Sequence, residues 1–429
     1  MAEGGAAAPY VLLGVMSNPT KPVLREQWRE WSGRFATAGR QVHVRYVFGE
    51  TIYKPHVDPA QRTEALLASA AGGKAEADLL FVEGRERLPH VGVVTEKSGT
   101  FWRAAVAIDA HARWFCKCDD DTLVHLDRLH ATLRYIEGKH RGLPVYFGHM
   151  KWRGWDVGRR FQACGGTWGD APKTAEDILH GGVLHGATRY PSCPHAAGPY
   201  AYMSGGMVCM SRPLAQRMHD DRHFAAFLRD ARARNTHGVP CKRPRACAAQ
   251  PEATHMWHHE DAGVGYNVFR AVVAQNASMA YIPVPAHYND PGIIERSSPL
   301  DANDQYWSTR AIFTHGIKTR AHYRTLQQRW NLSRPQAAHD LRCYPCDQLP
   351  PGTNKHYGHW AWARVPCPGT HDGDVEAAGV GRWCHVEPRE HFTCCTFPWD
   401  IPADIKAEAK ARLRDAKPRA ARRGMKRVG

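Results

Sequence analysis

A short apolar-rich run, Trp114-Phe-Cys-Lys-Cys118, ends abruptly in three consecutive carboxylates, Asp119, Asp120 and Asp121. Leu123, Leu126, Leu129 and Leu133 then follow at helical spacing. A chain cannot carry three adjacent acids into an apolar core, so a strand has to stop here and a helix has to begin. Adjacent carboxylates repel one another, and the cost falls only if a cation or hydrogen-bond donors sit among them. Hard divalent cations such as magnesium or manganese take oxygen ligands of this kind and bridge them to a substrate diphosphate. In open α/β sheets, ligands bind beyond the carboxyl ends of the strands, which is where this triplet falls. A plainer reading stands beside that one. Aspartate is a good N-cap, and the triplet would then be a solvated acidic turn that starts the next helix.

The rest of the chain sets the frame. Residues 10–16 read as a buried first strand, and 25–31 as an amphipathic helix start with Trp28 and Trp31 on one face. A second strand covers 42–48 and ends at Gly49; a helix at 62–71, a third strand at 77–82 and a helix over 97–112 follow. Alternation of this kind predicts an α/β fold with a mostly parallel central sheet covered on both faces. Further along, 145–148 reads as a strand and 151–190 as loop, rich in Trp, Gly and His. The pair Gly205-Gly206 suits a close approach of backbone to a ligand, and equally a plain turn. A helix is expected over 213–229 and a strand over 281–284. A second acidic feature, Glu260-Asp261, follows His258 and His259 and leads into a helix through Val273. Such carboxylates either cap the helix or serve as a general base.

Charge and cysteine narrow the class. The formal charge is +15, which favours anionic partners, but the surplus is uneven. From Lys406 onward ten Lys/Arg stand against two acids, so 405–429 reads as a basic tail. No recognised module supports specific nucleic-acid binding. Residues 232–256 read as a basic insertion holding Cys241 and Cys247. Cys343, Cys346, Cys367, Cys384, Cys394 and Cys395 fall in one Pro- and Gly-rich stretch, 340–400, which reads as a C-terminal Cys-rich module. Disulfides are favoured there over a zinc site, because no second Cys-x-x-Cys follows Cys343-Tyr-Pro-Cys346. The sequons at Asn276 and Asn331 fit a secretory lumen. Residues 1–9 form an extension without the basic and apolar regions of a signal peptide, so membrane association is expected only through an anchor outside this chain.

Four motifs, in order, resemble glycosyltransferase family 31, the β1,3-galactosyltransferase, β1,3-N-acetylglucosaminyltransferase and Fringe group. Thr95-Glu-Lys97 with Trp102, then Lys117-Cys-Asp-Asp-Asp-Thr-Leu-Val124, resembles that family's Leu-Thr-x-Lys stretch and Asp-rich motif. Tyr190-Pro191, Ser204-Gly-Gly206 and Ser211-Arg-Pro-Leu-Ala215 resemble its next conserved region. Glu260-Asp-Ala-Gly-Val-Gly265 and His315 ahead of Trp330 resemble the last two. The chain departs from the pattern at Pro89, Val91 and Met207-Val-Cys209. The resemblance covers 10–335 and implies a GT-A-type nucleotide-sugar-binding domain in the Golgi lumen. It implies inverting transfer of galactose or N-acetylglucosamine from a UDP-sugar to a glycan or glycoprotein hydroxyl, in a β1,3 linkage, with Mn2+ or Mg2+. Asp121, Asp119 and His315 would serve the metal. Asp119, Asp120, Lys97 and Arg25 would serve the nucleotide, and Asp261 would be the general base with Glu260 as its alternative. A glycan-binding module of the same fold that has lost catalysis is the competing expectation.

Overall fold

The computed structural model describes residues 10–19, 21–52, 78–86, 94–156, 163–164, 183–184, 188–189, 196–234, 260–273, 277–283, 312–329, 342–345 and 392–396. The expected helix at 62–71, both sequon asparagines Asn276 and Asn331, Tyr190-Pro191, His258-His259, the terminal segments and most of the basic insertion and Cys-rich stretch lie outside them.

The elements alternate as the sequence predicts. Strand β1 (Val11–Met16), helix α1 (Pro22–Ser32), β2 (Val42–Ile52), β3 (Leu79–Glu86), α2 (Val94–Ile108) and β4 (Trp114–Asp119) come first. A two-residue strand β5 (Leu123–Val124), helix α3 (Leu126–Lys139) and the long strand β6 (Val145–Asp156) follow. Next are β7 (Ala163–Cys164), β8 (Val183–Leu184), β9 (Thr188–Arg189), β10 (Ala196–Ser211), α4 (Arg212–Asp220) and α5 (Arg222–Arg234). Helix α6 (Glu260–Val273), β11 (Met279–Pro283), β12 (Phe313–Thr314), α7 (Arg320–Arg329), β13 (Arg342–Pro345) and β14 (Phe392–Thr396) complete them.

The main sheet runs β13-β14-β11-β6-β10-β4-β1-β2-β3. Strand β1 lies parallel to β2 and β4, β2 parallel to β3, and β11 parallel to β6 and β14. Strand β10 is antiparallel to both β4 and β6 at the middle of the sheet, and β13–β14 and β6–β7 are antiparallel pairs toward its edge. Its pairing to β6 jumps from Ser204–His149 to Val208–Gly148, so residues 205–207 bulge out of the ladder. The α/β architecture with a mostly parallel sheet is thus present.

Side chains alternate across this sheet into two cores. Leu12, Phe115, Val208 and Met210 pack on one face with helices α2, α4, α5 and α6. Val11, Leu13, Trp114, Cys116, Met207 and Cys209 pack on the other with Trp28, Trp31, Leu129, Leu133 and Tyr323. Apolar residues on both faces explain why the central strands read as near-continuous hydrophobic runs.

Several boundaries differ from the sequence reading. Strand β2 runs through Gly49 to Ile52, because β3 continues beside it with a register shift there. The stretch read as loop from 151 begins instead as the end of β6, held by β10 through Trp152–Ala201 and Asp156–Ala196. The expected helix over 213–229 is two helices broken at Asp221, whose side chain accepts from the backbone N–H of His223 and Phe224 and so starts a second helix. Strands β13 and β14, from the Cys-rich stretch, extend the edge of the main sheet.

Candidate functional site

Asp119 is the last residue of β4, and the chain turns at once, with Thr122 N–H donating back to the Asp119 carbonyl at 3.1 Å. The acidic triplet does not cap the helix after it. Strand β5 intervenes, and the N-cap of α3 is His125, whose Nδ1 accepts from Arg128 N–H at 3.4 Å. Trp31 fixes β5 from below by donating its indole N–H to the Val124 carbonyl at 2.7 Å.

Strand β5 in turn brings in a segment almost two hundred residues away in sequence. Phe313 pairs with Val124 and Thr314 with Leu123, antiparallel. His125 N–H donates to the Ile312 carbonyl, and Ile317 N–H to the Asp121 carbonyl, each at 2.7 Å. Gly316 takes the left-handed φ of +88° that this return requires. The result is His315 beside the triplet, its Nε2 at 3.2 Å from an Asp121 oxygen and 3.6 Å from an Asp119 oxygen. One ligand atom from each of Asp119, Asp121 and His315 falls within 4.8 Å of the others.

This donor set fits a divalent metal. Two carboxylates suit hard divalent cations such as magnesium or manganese, and the imidazole adds one nitrogen donor. The electrostatics agree. Burial works against a charge on His315, but hydrogen bonds and charge from Asp119 and Asp121 outweigh it and raise its pKa to about 9. The carboxylates therefore draw a positive charge onto the ring, in the place where a cation would sit. Asp119 is pushed up by burial, yet the Lys117 ammonium and His315 hold it down at about 2. Asp120 is lifted to about 6 by burial, with Asp121 and Asp119 adding and Lys21 opposing. Its carboxylate pairs with Lys21 at 3.4 Å and stands outside the Asp119–Asp121–His315 set.

A second cluster faces the first across Lys117. Side-chain alternation turns Lys117 to the α2–α6 side of the sheet, whereas Cys116 and Cys118 lie in the opposite core. Its ammonium meets Asp119 Oδ1 at 3.1 Å, Glu260 Oε2 at 2.9 Å and the Gly205 carbonyl at 3.1 Å. Burial disfavours this ammonium, but Asp119 and Glu260 outweigh it and hold it charged. Glu260 also accepts from the Ser98 hydroxyl, and Asp261 accepts from the Gly205 N–H at 3.2 Å. Burial raises the Glu260 carboxyl, with Asp261 and Asp119 adding to the effect and Lys117 and Ser98 opposing it. Both acids open helix α6 and turn their carboxylates to the bulge of β10 and the end of β4.

The other expected contacts lie in the wall. Lys97 is buried and donates to Glu86 at 2.7 Å and to the Ser17 carbonyl at 2.5 Å, tying α2 to the ends of β1 and β3. Arg25 is buried, donates to the Asn18 carbonyl at 2.8 Å and lies over the Phe48 ring. Two features escaped the sequence reading. One is Lys117, passed over inside an apolar run. The other is the disulfide Cys116–Cys209, which joins directly opposed residues of β4 and β10. Cys118, one step along the same strand face, is a buried free thiol.

No known protein-family pattern matches the chain, and no curated protein matches its sequence. Among solved structures, similar chains include mouse xyloside xylosyltransferase 1 in its apo form, at 10% identity and a TM-score of 0.28, covering 73% of this chain and 98% of that one. HddC from Yersinia pseudotuberculosis, complexed with GMP-PN, is similar at 12% identity and a TM-score of 0.21, over 50% of this chain and 80% of that one. Overlaps of this size carry no assignment, and any functional reading has to rest on the site's own geometry. No helix among the described residues is long and apolar enough to cross a membrane.

Proposed function

We propose that this chain is a metal-dependent glycosyltransferase of the family 31 kind. It would transfer galactose or N-acetylglucosamine from a UDP-sugar, with inversion, to a hydroxyl of a glycan or glycoprotein, forming a β1,3 linkage. The observation that carries this reading is the meeting of two unlike sites at one strand end. Asp119, Asp121 and His315 form a cation site on one side of Lys117, and Glu260 and Asp261 form a carboxylate pair on the other. A transfer reaction of this class needs both: positive charge where the diphosphate leaves, and a base where the acceptor attacks.

Manganese or magnesium held by Asp119, Asp121 and His315 would supply Lewis-acid stabilisation of the leaving diphosphate. The protein's own groups do the rest. Asp120, paired with Lys21, would serve the nucleoside side, and Lys97 and Arg25 brace the chain at Ser17 and Asn18, just after β1. Asp261 is the carboxylate assigned to take the acceptor proton, because Glu260 is engaged by both Lys117 and Ser98. The bulge at 205–207 carries the backbone N–H that holds Asp261 in place.

The test is calorimetry with UDP in the presence and absence of manganese, followed by a donor screen that reads UDP release. Asp121→Ala is expected to abolish manganese-dependent UDP binding. Asp261→Asn is expected to keep binding but lower the transfer rate by about a hundredfold or more, the usual weight of a general base. Full activity of either variant removes the role given to that residue. Metal and UDP binding without transfer to any acceptor would instead favour a glycan-binding module.

A further inference from the structure

Around Lys117 Nζ the structure holds a set of oxygens that a metal ion would also accept: Asp119 Oδ1 at 3.1 Å, Glu260 Oε2 at 2.9 Å and the Gly205 carbonyl at 3.1 Å. Lys117 is 1% exposed, and a Cβ on Gly205 would come within 3.3 Å of Nζ and 3.4 Å of Glu260 Oε2, so the backbone lies close over the ammonium. Asp119 divides its two oxygens. Oδ1 faces Lys117, while Oδ2 faces His315 and the cation site. One carboxylate thus bridges two cationic positions, the arrangement that two-metal sites build with a second ion.

We propose that Lys117 is the fixed second cation of this site, a positioning residue whose ammonium holds Asp119 and Glu260 together and restricts the site to a single metal ion. The inference rests on the metal-site reading above and adds what that reading leaves open. A carboxylate pair one residue from a cation site would itself attract metal, and a buried Glu260 beside Asp119 and Asp261 would be repelled by both. A covalently tethered ammonium removes both problems. It neutralises Glu260, so that Asp261 is left for the acceptor, and it fixes the Asp119 rotamer from the side away from the metal. An ordinary buried ion pair needs one partner, and desolvation makes even that arrangement weak evidence for stability. Three converging oxygens from β4, β10 and α6, one of them on the carboxylate that also faces the metal set, mark a cation position.

The experiment counts manganese ions by calorimetry in the full chain, alongside thermal melting and the kcat and KM of transfer. The native protein is expected to bind one manganese ion. Lys117→Ala empties the socket but keeps its oxygens, and is expected to bind two, with melting that manganese restores and ammonium ions partly restore. Lys117→Met/Glu260→Gln removes both charges of the pair and leaves the partly exposed Asp119 carboxylate to His315 and the metal. It is expected to fold, to bind one manganese ion, and to lose at least tenfold in kcat with little change in donor KM. One ion in Lys117→Ala, or an unchanged kcat in the double variant, overturns the proposal; if Lys117→Ala does not fold even with manganese, the double variant alone decides. A native protein that binds manganese but transfers no sugar would refute the transferase reading and leave the Lys117 assignment to be judged by the ion count. A native protein that binds no manganese refutes both.

Discussion

Gly265→Ala should do more damage than any other single methyl addition near the site. Helix α6 crosses strand β10 so closely at this point that an added Cβ would stand 2.1 Å from Tyr202 Cβ, 2.8 Å from Tyr202 Cα and 3.4 Å from the Ala201 carbonyl. Carbon atoms pack at about 3.5–4.0 Å, so the helix has to back away by roughly 1.5 Å. Tyr202 is almost fully buried and two of the three atoms are backbone, so no rotamer change can make room. Overpacking of a well-filled core costs about 1–3 kcal/mol, and a clash against backbone belongs at the upper end, about 3 kcal/mol. The site feels the same shift. Glu260 and Asp261 ride on the first turn of α6, and their bonds to Lys117 at 2.9 Å and to Gly205 N–H at 3.2 Å would both open past hydrogen-bond range. The assay is urea unfolding with activity measured in parallel. Gly138→Ala is the matched control: it also lies in a helix, near the exposed end of α3, with nothing within 4 Å of the added Cβ. There the loss of glycine's freedom should stabilise by about 0.5–1 kcal/mol. If the two substitutions move the unfolding midpoint in the same direction by the same amount, the close approach of α6 to β10 is wrong.

Two further outcomes check other parts of the fold. Burial, with the Arg128 charge beside it, holds the His125 pKa down at about 3, against an ordinary value of 6.5. The unfolded chain therefore takes up this proton first. The stability it contributes is complete above pH 6.5 and drains away as pH falls toward 3, by about 2–3 kcal/mol on reaching pH 4.5. His125→Asn, which keeps a capping side chain, should flatten that slope in urea titrations at the two pH values; an equal loss in both proteins refutes the assignment. The Cys116–Cys209 link closes a segment of 93 residues, and replacing both cysteines with alanine should cost about 2–4 kcal/mol. Alkylation of the denatured, unreduced protein should leave both thiols unlabelled, and labelling at either would show that the bond does not form.

The sequence made the strand end legible because its two halves obey opposite rules: an apolar run that must be buried, then acids that must not be. Strands β1 and β4 and the first part of β2 were readable for the same reason, since a strand buried on both faces reads as a continuous apolar run. Strand β5 was not readable, because Leu123 and Val124 fit the leucine spacing of α3 equally well, and only the pairing with Phe313–Thr314 decides between them. His315 entered the sequence reading through a resemblance alone. Nothing local to Phe-Thr-His-Gly says that it meets Asp119, because a two-residue ladder sets that contact across nearly two hundred positions. Cys116 was obscured differently. A cysteine on a buried strand behaves as a small apolar residue, so its partner on β10 left no pattern to find.

Lys117 is the instructive omission, because its signal was present. It sits between Cys116 and Cys118 on a strand whose every other side chain before Asp119 is buried. A lysine in that position cannot be solvated, and a buried ammonium without partners loses its proton or unfolds the strand. Carboxylates had to arrive from elsewhere in the chain, and they had to reach the face opposite Cys116. Asp119 lies two residues away on the same face of β4 and could supply one oxygen. The other had to come from a segment crossing that face, which Gly205 and Glu260 do together. A single basic residue inside an apolar run thus demands the joining of the acidic strand end to the Glu260-Asp261 helix start, which the two acidic motifs, taken separately, do not.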